Sequence, residues 1–174
     1  MLKTCLKFCL LLAVLGLLPS VGQAQSTRQF KTNLIGYEEV PAISTTGAGA
    51  FEMLIDFGDT GFSYELSYSG LTGNVLQAHI HIAQKGVNGG IMIFFCTNLG
   101  NGPAGTQPCP APSGTVSGFV TAADVIGGAA AQGVSPGEFA EVLKAIRAGS
   151  AYANVHSSLF PGGEIRGQVV PVSK

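Results

Sequence analysis

Apolar and polar residues alternate one by one along much of this chain, and that period of two commits it to strands. The pattern is cleanest over residues 62–69, where Phe62, Tyr64, Leu66 and Tyr68 oppose Ser63, Glu65, Ser67 and Ser69. It recurs over residues 48–57, with Phe51, Met53, Ile55 and Phe57 on one side and Ala50, Glu52, Leu54 and Asp56 on the other. Gly58, Asp59, Thr60 and Gly61 lie between them, so residues 48–69 read as a β-hairpin. Further strands are expected over residues 30–36, 75–82, 114–120, 150–157 and 164–170. Residues 91–96 are continuously apolar, as in a strand buried on both faces. The predicted fold class is mainly β, an antiparallel β-sandwich or barrel of about eight strands.

One segment breaks the period. Ser135, Pro136 and Glu138 make a capping-box start, Phe139, Val142, Leu143 and Ile146 follow at helical spacing, and Gly149 can end the element. One inserted α-helix is therefore expected near residues 136–148. Thr121 to Asp124 has the same cap logic for a shorter helix, and residues 127–133 read as a loose connector.

The first residues read as a leader. Lys3 and Lys7 precede an apolar run over residues 8–18, and Gly22, Gln23 and Ala24 offer a small-residue cleavage site. Residues 1–24 are thus a signal peptide by expectation, and residues 25–174 one domain with room for a proper core. Localisation is expected to be secreted or periplasmic, with no membrane span in the mature chain. Removing Lys3 and Lys7 from the 9 basic residues leaves 7 against 10 acidic ones, a formal charge of −3. That balance argues against nucleic acid or an anionic membrane as partner. An extracellular or periplasmic protein or polymer is the expected partner class.

Cys96 and Cys109 remain after the leader, flanking a Gly/Pro/Asn-rich stretch. In an oxidising compartment two such thiols close into a disulfide. Neither has a histidine nearby in the sequence, which makes a zinc site on this pair a poor match.

The chain's 3 histidines all fall on the polar faces of expected strands. His79 and His81 share a face, because residues two apart in a strand point the same way. Tyr152, Asn154 and His156 share another, and Glu164, Arg166 and Gln168 a third. If the three strands are neighbours, imidazole, amide, carboxylate and guanidinium groups come side by side. His79, His81, Asn154, His156, Glu164 and Arg166 are the candidate binding patch. Neutral imidazole suits copper or zinc. His79, His81 and His156 are the candidate metal ligands, with Glu164 a candidate fourth. The opposing reading is a set of solvated or hydrogen-bonded side chains, with Glu164 and Arg166 as a structural ion pair and Arg166 holding the turn at Pro161, Gly162 and Gly163. No catalytic constellation stands out: Ser157 points away from His156, and no paired carboxylates with special context are present. The chain reads first as a non-enzymatic binding or structural module, and alternatively as a copper or zinc protein with redox chemistry.

Four blocks carry a family resemblance. They are Leu34 to Pro41 followed by Thr45, Thr46 and Gly47; Leu71, Thr72 and Gly73 running into Ala78 to His81; the loop Gly86 to Gly90; and Ala148 to His156 with Pro161 to Gln168. Together they resemble the CHRD domain, named for chordin, over nearly all of residues 30–170. The family loop usually closes with proline where Gly90 stands, and residues 96–109 look like an insertion. The resemblance implies a β-sandwich and an exported, single-domain protein of the microbial type. It implies no reaction, and growth-factor antagonism does not carry over to a lone domain.

Overall fold

The computed structural model describes residues 28–172, and the expected signal peptide lies outside the described residues. Nine strands form in chain order: β1 (Gln29–Ile35), β2 (Ala48–Ile55), β3 (Gly61–Ser69), β4 (Val75–Ile82), β5 (Ile91–Thr97), β6 (Gly114–Thr121), β7 (Ala151–Ser157), β8 (Ile165–Gln168) and the short β9 (Val170–Pro171). Eight run in one antiparallel sheet in the order β5-β4-β7-β8-β1-β2-β3-β6, and β9 pairs with β1. The end strands β5 and β6 approach each other without pairing, so the sheet is nearly closed into a barrel. Between the expected alternatives of sandwich and barrel, the continuous ladder decides for the barrel.

Alternation does what a period of two requires. Phe51, Met53 and Ile55 of β2 and Phe62, Tyr64, Leu66 and Tyr68 of β3 are buried, while Glu52 and Glu65 face solvent. Phe95 of β5 meets Phe51 and Tyr64 with ring centroids 5.0 and 4.6 Å apart. Burying each such ring stabilises the fold by roughly 1.5–3 kcal/mol.

The open seam is managed by the stretch between β5 and β6. The Gln107 carbonyl accepts from the Thr97 N–H, while its side-chain amide donates to the Ser117 carbonyl. One residue thus satisfies a group on each unpaired edge. The Cys96–Cys109 disulfide anchors the same stretch to β5, as expected.

The helix α1 spans Phe139–Arg147, three residues shorter at its start than the caps suggest. Gly137 adopts φ 82°, a left-handed conformation that cannot belong to a right-handed helix. Only half of the capping box forms: the Glu138 carboxylate accepts from the Ser135 N–H. The apolar stripe is buried as expected, with Phe139 stacked at 5.9 Å on Phe62. The second cap is complete, because Thr121 and Asp124 satisfy each other's backbone around a 3-10 turn at Ala122–Asp124. The expected loose connector is instead a 3-10 helix at Gly127–Gln132. Among the described residues, no helix is long and apolar enough to cross a membrane.

Candidate metal centre

Strands β4, β7 and β8 are direct neighbours, and their register places His79 opposite Asn154, His81 opposite Tyr152, and Asn154 opposite Arg166. The inward faces of β4 and β7 carry Ala78, Ile80, Ala153 and Val155 into the barrel core. The polar side chains therefore lie on the outer face. Solvation was one expectation for them. Instead His79 is 0% exposed, His81 and His156 6%, and Asn154 2%, so the group is not an open patch.

Three segments cover it. The stretch after β1, a 3-10 turn at Gly36–Glu38 leading into Glu39, lies against β8. The β4–β5 loop and the turn before β8 complete the enclosure through hydrogen bonds to the histidines themselves. His81 Nδ1 donates to the Gly89 carbonyl at 2.9 Å, and His156 Nδ1 donates to the Pro161 carbonyl at 2.9 Å. Carbonyl oxygens only accept, so each Nδ1 carries the proton and each Nε2 of the neutral ring carries a lone pair.

The three imidazoles converge. One ligating nitrogen from each of His79, His81 and His156 lies within 4.8 Å of the others. His79 Nδ1 is 3.1 Å from His156 Nε2, which also lies 3.1 Å from Asn154 Oδ1. His79 Nε2 and His81 Nε2 are buried without a hydrogen-bond partner. Burial, reinforced by the neighbouring imidazoles His156 and His81, pushes His79 down to about 2. Burial likewise brings His81 down to about 4 and lowers His156. All three are neutral near pH 7, the form that binds metals.

Aromatic and cationic groups brace the site. The Tyr152 ring is parallel to that of His81, with centroids 4.6 Å apart, and the Phe94 ring meets His79 edge-on at 4.3 Å. Arg166 lies over the Tyr152 ring at 3.3 Å and donates to Val87 O at 2.6 Å and Asn88 Oδ1 at 3.0 Å. Arg166 thus holds the β4–β5 loop rather than the expected turn at residues 161–163.

Glu164 lies apart from the imidazoles. Its Oε1 accepts from the Thr45 hydroxyl and from the Thr72 N–H and hydroxyl. Burial opposes its charge, but hydrogen bonds from Ser157, Thr45 and Thr72 outweigh it and hold the carboxyl below its usual range. No ion pair joins it to Arg166 among the described residues. The carboxylate that does sit with the group is Glu39. Burial raises it to about 7, against the opposing influence of the Arg166 charge, the Val40 N–H and the Asn154 amide. Sequence reasoning missed Glu39 because it precedes Pro41 in a segment with no strand alternation; its signal was its place in the first block of the resemblance.

The CHRD domain model matches residues 30–169. The chain belongs to the CHRD domain family. The match takes in β2 to β8, all of β1 but its first residue, and all three histidines, and it ends before β9. No curated protein and no solved structure is significantly similar to this CHRD domain protein.

Proposed function

We propose that this CHRD protein is a small exported metal-binding domain that holds copper or zinc on His79, His81 and His156. The observation that carries the reading is the inward lone pair on His81 and His156. Each ring spends its Nδ1 proton on a backbone carbonyl, leaving Nε2 as a donor with no proton of its own. Of the two, His81 Nε2 is buried without a partner, as is His79 Nε2, and burying such nitrogens costs stability, which a bound cation offsets. Donors sharing one ion at 2.0–2.1 Å sit roughly 3.3 Å apart in a tetrahedral site, so the longest separation here closes if each of two rings moves about 0.7 Å. Nitrogen donors suit copper and zinc better than calcium or magnesium.

Export is supported by the apolar leader, its small-residue cleavage site and the disulfide. A second reading keeps the same residues as internal support for the covering loops, with no ion. Near-total burial argues against these side chains docking a protein or polymer directly.

The test is elemental mass spectrometry of the exported protein purified without an affinity tag, beside a variant with His79, His81 and His156 all replaced by Ala. Near-stoichiometric copper or zinc that disappears in the variant is the expected result. No metal in either protein, even after copper and zinc are supplied, would leave the internal-support reading in its place.

A further inference from the structure

Resting on that metal-binding reading, we propose that Asn154 supplies its Oδ1 as a fourth donor, giving an N3O centre, and that Glu39 is the positioning residue that keeps this oxygen turned toward the imidazoles.

Asn154 Oδ1 is 3.1 Å from His156 Nε2, a nitrogen left as a lone pair by the bond from Nδ1 to Pro161. Two acceptors therefore face each other at hydrogen-bond distance, and only one of them can be relieved by the His79 Nδ1 proton. A cation between them converts this repulsion into ligation. Asn154 is also central in the register, opposite His79 on β4 and Arg166 on β8. Its side chain shares the outer face with both.

Turning the amide over would give His156 Nε2 a donor and remove the conflict. Glu39 opposes that turn. Glu39 is 7% exposed, and its carboxyl lies over the Gly163 backbone, 2.4 Å from where a Cβ on that glycine would be. A side chain there would push the carboxyl aside, and the φ of +131° also favours glycine. With Asn154 Oδ1 set against His156 Nε2, the NH2 end of the amide is turned away from the imidazoles, and the Asn154 amide favours the charged form of the Glu39 carboxyl. A turned amide would set its oxygen against the carboxyl group instead. Oxygen from an amide with three imidazoles is a borderline donor set, suited to zinc and divalent copper. It also fills the position that three histidines alone would leave open.

The experiment titrates the metal-free protein with Co(II), whose visible absorption reports donor number and type, and with Zn(II) and Cu(II) for affinity. Wild type is expected to bind one equivalent. Asn154→Ala should weaken binding at least tenfold and shift the Co(II) band. Asn154→Asp, which keeps size and an oxygen donor, should retain binding with a shifted band and decides the matter if the alanine variant does not fold. Glu39→Gln should weaken binding by about 10–100-fold, as loss of a supporting partner does, and should move the band because a second amide permits the turn. If both Asn154 variants match wild type in affinity and spectrum, the fourth-donor assignment falls while the three-histidine site stands. If only Glu39→Gln matches wild type, the positioning role falls. If wild type binds none of the three ions, both the site and this refinement fall together.

Discussion

The Tyr152 ring lies 3° from parallel with that of His81, and its hydroxyl sits 3.4 Å from the Gly89 N–H. Gly89 also accepts the His81 proton through its carbonyl. One aromatic side chain therefore fixes both a candidate ligand and the loop residue that sets its tautomer. Tyr152→Phe keeps the stack and loses only a long hydrogen bond, whereas Tyr152→Leu loses the stack with His81 and the cation–π contact with Arg166. The leucine variant should lose roughly 2 kcal/mol of stability and the phenylalanine variant roughly 0.5 kcal/mol. Urea unfolding of the two proteins side by side measures the difference, and equal losses would show that the stack contributes nothing.

Arg166 is 1% exposed, and its guanidinium is spent on Val87, Asn88 and the Tyr152 ring. A lysine offers a point charge without the planar fork or the stacking face. Arg166→Lys should therefore cost roughly 3 kcal/mol, the range for breaking a buried charged network. The loss should be local at first. Hydrogen exchange at residues 85–90 is expected to rise well before exchange in β2 and β3. Uniform protection across the domain in the variant would show that Arg166 does not hold that loop.

How far the chain could be read in advance follows the reach of each signal. Alternation is local, so Phe62 to Ser69 announced both the β3 strand and its buried side without any tertiary information. The same rule placed His79 with His81 and Asn154 with His156, and antiparallel pairing of β4 with β7 did the rest. What covers a strand face is not local. Glu39 reaches the site only because residues 36–41 fold back toward β8, and Arg166 reaches Val87 across 79 positions of sequence. The histidines looked like an exposed polar face because nothing in a strand's own period reveals a lid. The helix start failed for a different reason: the caps at Ser135 and Glu138 are real signals, but Gly137 turns the backbone between them.

Gly89 is a position where one methyl group should dismantle the site. A Cβ there would come within 1.7 Å of the Ile82 carbonyl oxygen and 3.1 Å of the Ala83 Cβ. Backbone cannot yield as a flexible side chain would, so the loop must shift and release the His81 Nδ1 proton from its acceptor. Gly89→Ala should weaken metal binding more than tenfold and cost about 2–3 kcal/mol of stability. Gly86→Ala is the control: its Cβ would meet nothing within 4 Å, although φ +78° adds backbone strain. Metal titration of both variants checks the contrast, and equal behaviour would mean the Gly89 clash is absorbed elsewhere.

The metal-free protein should lose stability as pH falls from about 6.5 toward 4. His79 and His81, pushed down by burial to about 2 and about 4, stay neutral when folded but take up protons when unfolded. Their contribution is present above the unfolded value and is lost as pH falls through the folded one. His156, also lowered, acts in the same direction. Glu39 works against them. Raised by burial to about 7, it binds a proton more readily folded than unfolded, so its contribution is present below about 4.5 and is lost as pH rises through 7. Three groups against one leave a net loss of stability on acidification. Glu39→Gln removes the opposing contribution, so its stability should fall more steeply between pH 6.5 and 4.5 than wild type's. Urea midpoints across that range, with chelator present, give both slopes directly. A wild-type slope as steep as the variant's would show that Glu39 titrates normally and is not held in the buried position described.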